Sequence, residues 1–142
     1  NDGYEVFVDT WGSSPTIRNR IVGGACSADS IISEGGNVEG PGDTCWLDHA
    51  GDLSNMPIQL APLSDYGGLT PSRPPVHGSL AIDNPYATVH CQSHDQRGVS
   101  RPRDGDGNGV AECDSGAVEL STLIFLDGFE AGTCSNWSHQ VP

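Results

Sequence analysis

The stretch Ser14-Pro15-Thr16-Ile17-Arg18-Asn19-Arg20-Ile21-Val22, followed by Ser30-Ile31-Ile32-Ser33 and the turn pair Gly35-Gly36, decides how the chain is read. β-Branched residues fill both runs, and glycine and serine punctuate them, which is the composition of short strands between tight turns. Upstream, Tyr4-Glu5-Val6-Phe7-Val8-Asp9 mixes β-branched and aromatic residues with acids and reads the same way. Strand and turn alternate roughly every 10 to 15 residues, with no 3.6-residue apolar period, so the spacing suits a solenoid rung or a sandwich rather than a helical domain. Downstream comes the loop Glu39-Gly40-Pro41-Gly42-Asp43, and then prolines at 57, 62, 71, 74, 75 and 85. A segment so rich in proline cannot run as a central strand. Residues 47 to 88 are therefore expected to wrap the fold, with Leu53, Ile58, Leu60, Leu63, Leu69, Val76, Leu80 and Ile82 covering an exposed sheet end. Val118 to Leu126, with its continuous apolar Leu123-Ile124-Phe125-Leu126, is the strongest strand candidate, either buried or paired with another chain.

The 142 residues suffice for one domain with a modest core. Nineteen glycines, ten prolines, no lysine and a formal charge of −13 favour turns over helices. So acidic a chain repels phosphate backbones, and its six arginines are scattered, which argues against nucleic acid and equally against anionic membranes as partners. Acidity does suit a cation, because carboxylates that repel one another can be held together by calcium. Five cysteines in a glycine-rich, lysine-free chain point to disulfides and a secreted, extracellular or periplasmic setting. The chain opens on a polar turn-like segment and is expected to be mature, its leader removed, and no apolar run reaches the ~20 residues that span a bilayer.

Asp104-Gly105-Asp106-Gly107-Asn108-Gly109, followed by Glu112 and Asp114, sets oxygen side chains at alternate positions around glycines. That is the chemistry of a calcium loop, in which glycine allows the chain to wrap an ion, and the candidate ligands are Asp104, Asp106, Asn108, Val110, Glu112 and Asp114. An EF-hand would carry an acid at the twelfth position, where this chain has Ser115, so the closing ligand falls to Asp114 or Glu112; the alternative is a metal-free Asp-Gly turn. His90-Cys91-Gln92-Ser93-His94 has the look of half a zinc site but lacks a second half, and reads instead as a disulfide flanked by two solvent-facing histidines. No serine sits in a nucleophile elbow, and carboxylates are numerous without being paired by pattern, so the chain is expected not to be an enzyme. Trp11, Trp46 and Trp137 are either sugar-stacking surfaces or core and interface residues, and Asn136-Trp137-Ser138 fits a glycosylation sequon. Asp95-Gln96-Arg97-Gly98 can hold an arginine against a carboxylate and fix one loop to another.

Five stretches form an ordered series: Ser33 to Glu39 (SEGGNVE), Leu60 to Pro71 (LAPLSDYGGLTP), Gly78 to Asp83 (GSLAID), Asp95 to Gly98 (DQRG) and Cys113 to Glu119 (CDSGAVE). Together they resemble the choice-of-anchor Q domain, a module at the C-terminal end of right-handed parallel β-helix proteins of bacterial surfaces. The tail from Ile124 to Ser138 is similar to a short segment that ends many secreted bacterial proteins. The resemblance implies an all-β fold, a short parallel β-helix or solenoid end module with a loop-rich, disulfide-stabilised cap. Residues 1 to 46 would form rungs, 47 to 119 the cap, and 120 to 142 a C-terminal strand and tail. It also implies the pairings Cys26 with Cys45 and Cys91 with Cys113, leaving Cys134 odd and open to modification or cross-linking. Only one or two rungs precede the cap here, while a solenoid needs about three repeats to bury a continuous core. The chain is then either a piece of a longer β-helix protein or one whose copies supply the missing rungs, which would make a homo-oligomer or filament by strand addition. The expected function is a non-catalytic extracellular structural protein stabilised by calcium. The competing expectation is a carbohydrate-binding or polysaccharide-processing β-helix module, with a glycan as ligand.

Overall fold

In a computed structural model, residues 14–26 and 31–120 are described. Their regular structure is β, with very little helix: β1 (Thr16–Ile17), β2 (Ile21–Val22), β3 (Ile32–Ser33), β4 (Val38–Glu39) and the five-residue helix α1 (Pro85–Val89). The run expected as one strand from Ser14 to Val22 is two, because Asn19 turns a corner at φ 50°. Asparagine tolerates this left-handed conformation better than most residues. Gly35 and Gly36, at φ 92° and 71°, turn the next corner, and the Asn19 N–H donates to the Gly35 carbonyl at 3.0 Å, so one corner stacks on the other.

The strands on either side of these corners pair in parallel, β1 with β3 before them (Thr16↔Ile32) and β2 with β4 beyond them (Ile21↔Val38), and a parallel bridge joins Val38 to Leu53. Three successive passes of the chain thus lie in one parallel stack. The residues are short-stranded and irregular between these pairings, so a β class is what stands at this level. Asn37, wholly buried, fills the stacked corner. Its Oδ1 accepts from the Arg20 N–H at 3.0 Å, and its Nδ2 donates to Ser33 Oγ at 2.8 Å and Asp52 Oδ1 at 3.0 Å. An apolar side chain here would strand those backbone and carboxylate groups without partners.

Helix α1 seats against the corner. A Cβ on Gly36 would lie 2.8 Å from the Ala87 Cα, and Ala87 is fully buried, so neither position accepts a larger side chain. Asn84 caps the helix through the Tyr86 N–H, with Pro85 in the first turn where its missing donor costs nothing. The proline-rich segment runs as irregular chain with antiparallel bridges Leu60↔Pro75 and Ser64↔Ser72. It covers less than its composition promises: Leu53, Ile58, Leu60 and Ile82 are half-buried, but Leu63, Val76 and Leu80 are exposed and Leu69 is 100% exposed. The chain turns at Gly67 and Gly68, both left-handed, and a Cβ on Gly68 would lie 2.8 Å from the Arg97 Cα. Val118 to Leu120 form no strand; the rest of that expected strand, together with Tyr4 to Asp9, Trp11, Trp137 and Cys134, lies outside the described residues.

Disulfides join Cys26 to Cys45 and Cys91 to Cys113, with Cα atoms 5.0 and 6.0 Å apart. Each closes a loop of about 20 residues, worth about 3 kcal/mol in the chain-entropy account. Among the described residues the buried apolar set is small, namely Val22, Val38, Cys45, Ala81, Ala87, Cys113 and Val118, and a larger set of polar residues is buried beside it. Cross-links and hydrogen bonds therefore carry much of what a larger core would supply.

Candidate functional site

Two groups of carboxylates occupy the 83 to 119 region, one at the surface and one inside. The outer group stands on the Asp-Gly loop, which an antiparallel bridge between Arg103 and Glu112 closes. Asp83, Asp104 and Asp106 each bring a carboxylate oxygen within 4.8 Å of the others, Asp83 buried, Asp104 intermediate and Asp106 exposed. The loop orders itself through these carboxylates. Asp83 accepts from the Gly105 and Asp106 N–H groups (3.0 and 2.7 Å), Asp104 from Gly107 and Gly109 (2.6 and 2.9 Å), and Asp106 from the Asn108 N–H at 2.9 Å. Gly105 is tight against the body of the protein, since a Cβ there would meet the Ile82 Cγ2 at 2.8 Å. Burial pushes the Asp83 carboxyl up, and the charges of Asp106 and Asp104 add to that, although the Gly105 and Asp106 N–H groups oppose it.

Of the residues expected to ligate, the fold brings Asp104 and Asp106 together and adds Asp83, which the loop pattern did not include. The Asn108 amide donates to Asp106 Oδ2 at 3.0 Å while its Oδ1 accepts from the Val110 N–H at 2.7 Å. Val110 is exposed and Glu112 half-buried, and neither belongs to the three-carboxylate cluster. Asp114 faces the interior: its Oδ1 accepts from the Asp83 N–H at 2.9 Å and its Oδ2 from the Leu120 N–H. Asp83 and Asp114 are thus linked through the backbone of one residue, which ties the outer loop to the inner group. The outer donor set is all oxygen, which suits a hard divalent cation and not a thiol- or imidazole-seeking metal.

The inner group is a clasp of Asp95, Asp114 and Glu119 with Arg97 and Arg101. Glu119, 1% exposed, accepts from the Arg101 Nε at 2.5 Å and from the Arg103 N–H at 3.0 Å. The same guanidinium, 4% exposed, reaches the carbonyls of Gly116 and Asp114. Arg97 closes on Asp95 (Nε to Oδ2, 2.9 Å) and reaches the Glu119 carbonyl, while Asp95 Oδ1 accepts from the Arg97 and Val99 N–H groups. Burial pushes the Asp114 carboxyl up to about 7, with the nearby Glu119 and Asp83 charges adding to it against the Leu120 and Asp83 N–H groups. Burial likewise raises Glu119, although Arg101 works against it. For Asp95, burial is outweighed by the Glu119, Val99 and Arg97 N–H groups and the Arg97 guanidinium, which hold it below the ordinary range.

The clasp connects to the stack. Ser115 Oγ donates to the Gly36 carbonyl at 2.7 Å and accepts from Asn84 Nδ2 at 3.0 Å, and the Gly116 N–H meets Asn19 Oδ1 at 3.1 Å. Four of the five quoted sequence stretches, around 36, 83, 95 and 114 to 119, therefore meet in one buried polar network. Sequence pattern gave Arg97 against Asp95 but not the roles of Arg101 or Asn84; the Asn-Pro pair at 84 and 85 is a readable helix start that could have placed the latter. Cys91 is taken by its disulfide, so His90 and His94 share no thiolate with it. Trp46 is exposed, at a left-handed φ of 52°. No family model matches this chain, nor does any curated protein or solved structure.

Proposed function

We propose that the protein is a non-catalytic extracellular structural module that associates with further copies of itself by β-strand addition and is tightened by calcium at Asp83, Asp104 and Asp106. The observation that carries this reading is the open edge of the parallel stack. The carbonyls of Pro15, Ile17, Arg20 and Val22 are used by the following pass of the chain. In a parallel ladder the intervening residues, Thr16 and Ile21, then turn their N–H and C=O groups to the other side, where the described residues offer no strand. An edge of this kind is a template for another strand. Beside it lies a hollow of about 270 Å³ lined by Ile17, Ile21, Val22, Cys26 and Ile31 with Arg20 at its border, whose apolar wall a stacked neighbour would cover.

Two disulfides are compatible with an oxidising, extracellular setting, and no helix among the described residues is long and apolar enough to cross a membrane. The resemblance to a surface β-helix end module favours the same reading. The carboxylates with raised proton affinity in the interior, Asp114 and Glu119, are sealed from solvent and committed to backbone N–H groups, which suits a clasp better than acid-base chemistry on a substrate. Calcium fits the outer loop because three hard oxygen donors converge there and their mutual repulsion is what a divalent cation relieves.

The test is sedimentation velocity on the full chain with calcium, comparing wild type with Thr16→Pro. Proline removes only the outward N–H of an exposed edge residue, and edge strands accept it. The reading expects large assemblies from wild type and a single small species from the variant at unchanged melting temperature. Equal assembly by both would exclude the β1 edge as the joint, and a monomeric wild type would exclude self-association.

A further inference from the structure

The acidic surface has a local reversal of sign. A concavity of about 430 Å³ opens between the Arg18 to Arg20 corner and the chain from His90 to Gln96, floored by Gly116 and Ala117. Three of the six arginines, Arg18, Arg20 and Arg101, and the histidines His90 and His94 line it, against a single acid, Asp95. Asp95 adds little negative potential there, because its carboxylate is buried and taken up by Arg97 and three backbone N–H groups. Arg101 is likewise committed to Glu119. Arg18 pairs with Glu34 in an exposed contact that a ligand can displace. Among the described residues nothing meets the exposed Arg20 guanidinium, which leaves a full fork of donors for an anion.

Two neutral side chains of the lining are fixed in orientation by bonds on one end. Asn19 Oδ1 is held by the Gly116 N–H, which leaves its Nδ2 as a donor. Gln96 Nε2 is held by Thr70 Oγ1 and the Pro71 carbonyl, which leaves Oε1 as an acceptor. An acceptor in the same lining as an unpaired guanidinium discriminates between anions. Sulfate and phosphate diesters have no proton to give Gln96, whereas a ligand bearing both a carboxylate and hydroxyl groups satisfies Arg20, Asn19 and Gln96 together. The net charge of −13 further disfavours densely charged polyanions and favours one with widely spaced charges.

We infer that this concavity binds a sugar acid, the carboxylate on Arg20 and the hydroxyls on Asn19 and Gln96, and so holds the protein to an acidic polysaccharide. This goes beyond the structural role above and uses no calcium; the lining lies within one copy, and Arg20 also borders the hollow beside the strand edge.

The experiment is isothermal titration calorimetry on the full chain in chelator, so that no metal bridges ligand to Asp83, Asp104 and Asp106. Trigalacturonate is the probe, with neutral galactotriose, sodium sulfate and tetraglutamate as competitors in class. Binding of trigalacturonate alone is expected, weakening as salt is raised, and falling about tenfold in Arg20→Gln and less in Arg20→Lys. Arg20 is exposed and makes no side-chain bond among the described residues, so both variants are expected to fold, which an unchanged melting temperature verifies. Wild-type affinity in Arg20→Gln overturns the assignment. So does equal binding of galactotriose, which removes the role of charge, or of sulfate or tetraglutamate, which removes the role of the hydroxyls. Absence of any binding overturns it outright.

Discussion

Asp104 and Asp106 stand no more than 15 residues from Asp114 and Glu119, on one short piece of chain, yet the two pairs live in opposite environments. The first pair is on a loop that holds itself in shape with its own carboxylates. The second is sealed inside, with every charge set against an arginine or a backbone N–H. Burial makes the difference. At the surface, water and a cation can share a carboxylate, so repulsion among Asp83, Asp104 and Asp106 is a handle for a ligand. Inside, the same chemical group is too costly to leave unmatched, so it becomes a structural rivet whose loss is felt by the whole fold.

The sharpest way to break that contrast is to remove a rivet. Arg101→Ala leaves Glu119 and two carbonyls without their guanidinium and is expected to cost about 5 kcal/mol by urea unfolding, the range found when one partner of a buried pair is removed. A loss comparable to that of a surface arginine, below about 1 kcal/mol, would mean the clasp does not bear on stability.

Proton linkage gives the next largest effect. The Asp114 carboxyl is raised from 3.8 to about 7 in the folded chain. The folded state then holds a proton that the unfolded state has released, so this group stabilises the fold at low pH and its contribution falls away as pH rises from about 4 to about 7. The rise is worth on the order of 4 kcal/mol at ~1.36 kcal/mol per unit. Asp95, held low, works in the opposite sense, its contribution being lost as pH falls through the acid range. Urea titrations in chelator at pH 4.5 and 7.5 should show the wild type more stable at the lower pH, and Asp114→Asn should flatten the difference. A wild type most stable at pH 7.5 would contradict a burial that outweighs the Leu120 and Asp83 N–H groups at Asp114.

The outer group gives the smallest effect and a different signature. Calcium at roughly a hundred times its Kd should raise stability by about 2.7 kcal/mol, through mass action alone. Asp106→Ala should abolish that gain while leaving the chelated protein within about 0.5 kcal/mol of wild type, because Asp106 is exposed. Calcium-dependent stabilisation that survives in Asp106→Ala and in Asp83→Asn would place the ion elsewhere.

The same contrast explains what could be read before the fold was known. Thr16, Ile17, Ile21, Val22 and Ile32 announce strands because β-branched side chains favour extended backbone wherever they sit. The break at Asn19 is invisible in that pattern, since its left-handed conformation is set by the Gly35 carbonyl in the next pass of the chain. Asp104 and Asp106 were legible as a cluster because their spacing is local. Asp83 was not, because only the turn before α1 carries it to the loop, and spacing cannot tell that the Asp114 carboxylate faces the interior once the chain has reversed between Arg103 and Glu112. Leu69 shows the limit for apolar residues: hydrophobicity predicts cover, but the glycine turn beside it holds the side chain in solvent. Five cysteines announce cross-links without choosing partners; the pairings Cys26 with Cys45 and Cys91 with Cys113, which the structure has, came from the resemblance and not from spacing.

The central claim is that copies join edge to edge through the open side of β1 and β2, with calcium tightening each copy. Negative-stain imaging of the native protein, with calcium and with chelator, tests it most directly. The account expects filaments or sheets with a single repeat in calcium, and shorter or fewer of them in chelator. Monodisperse single particles in both conditions would contradict it.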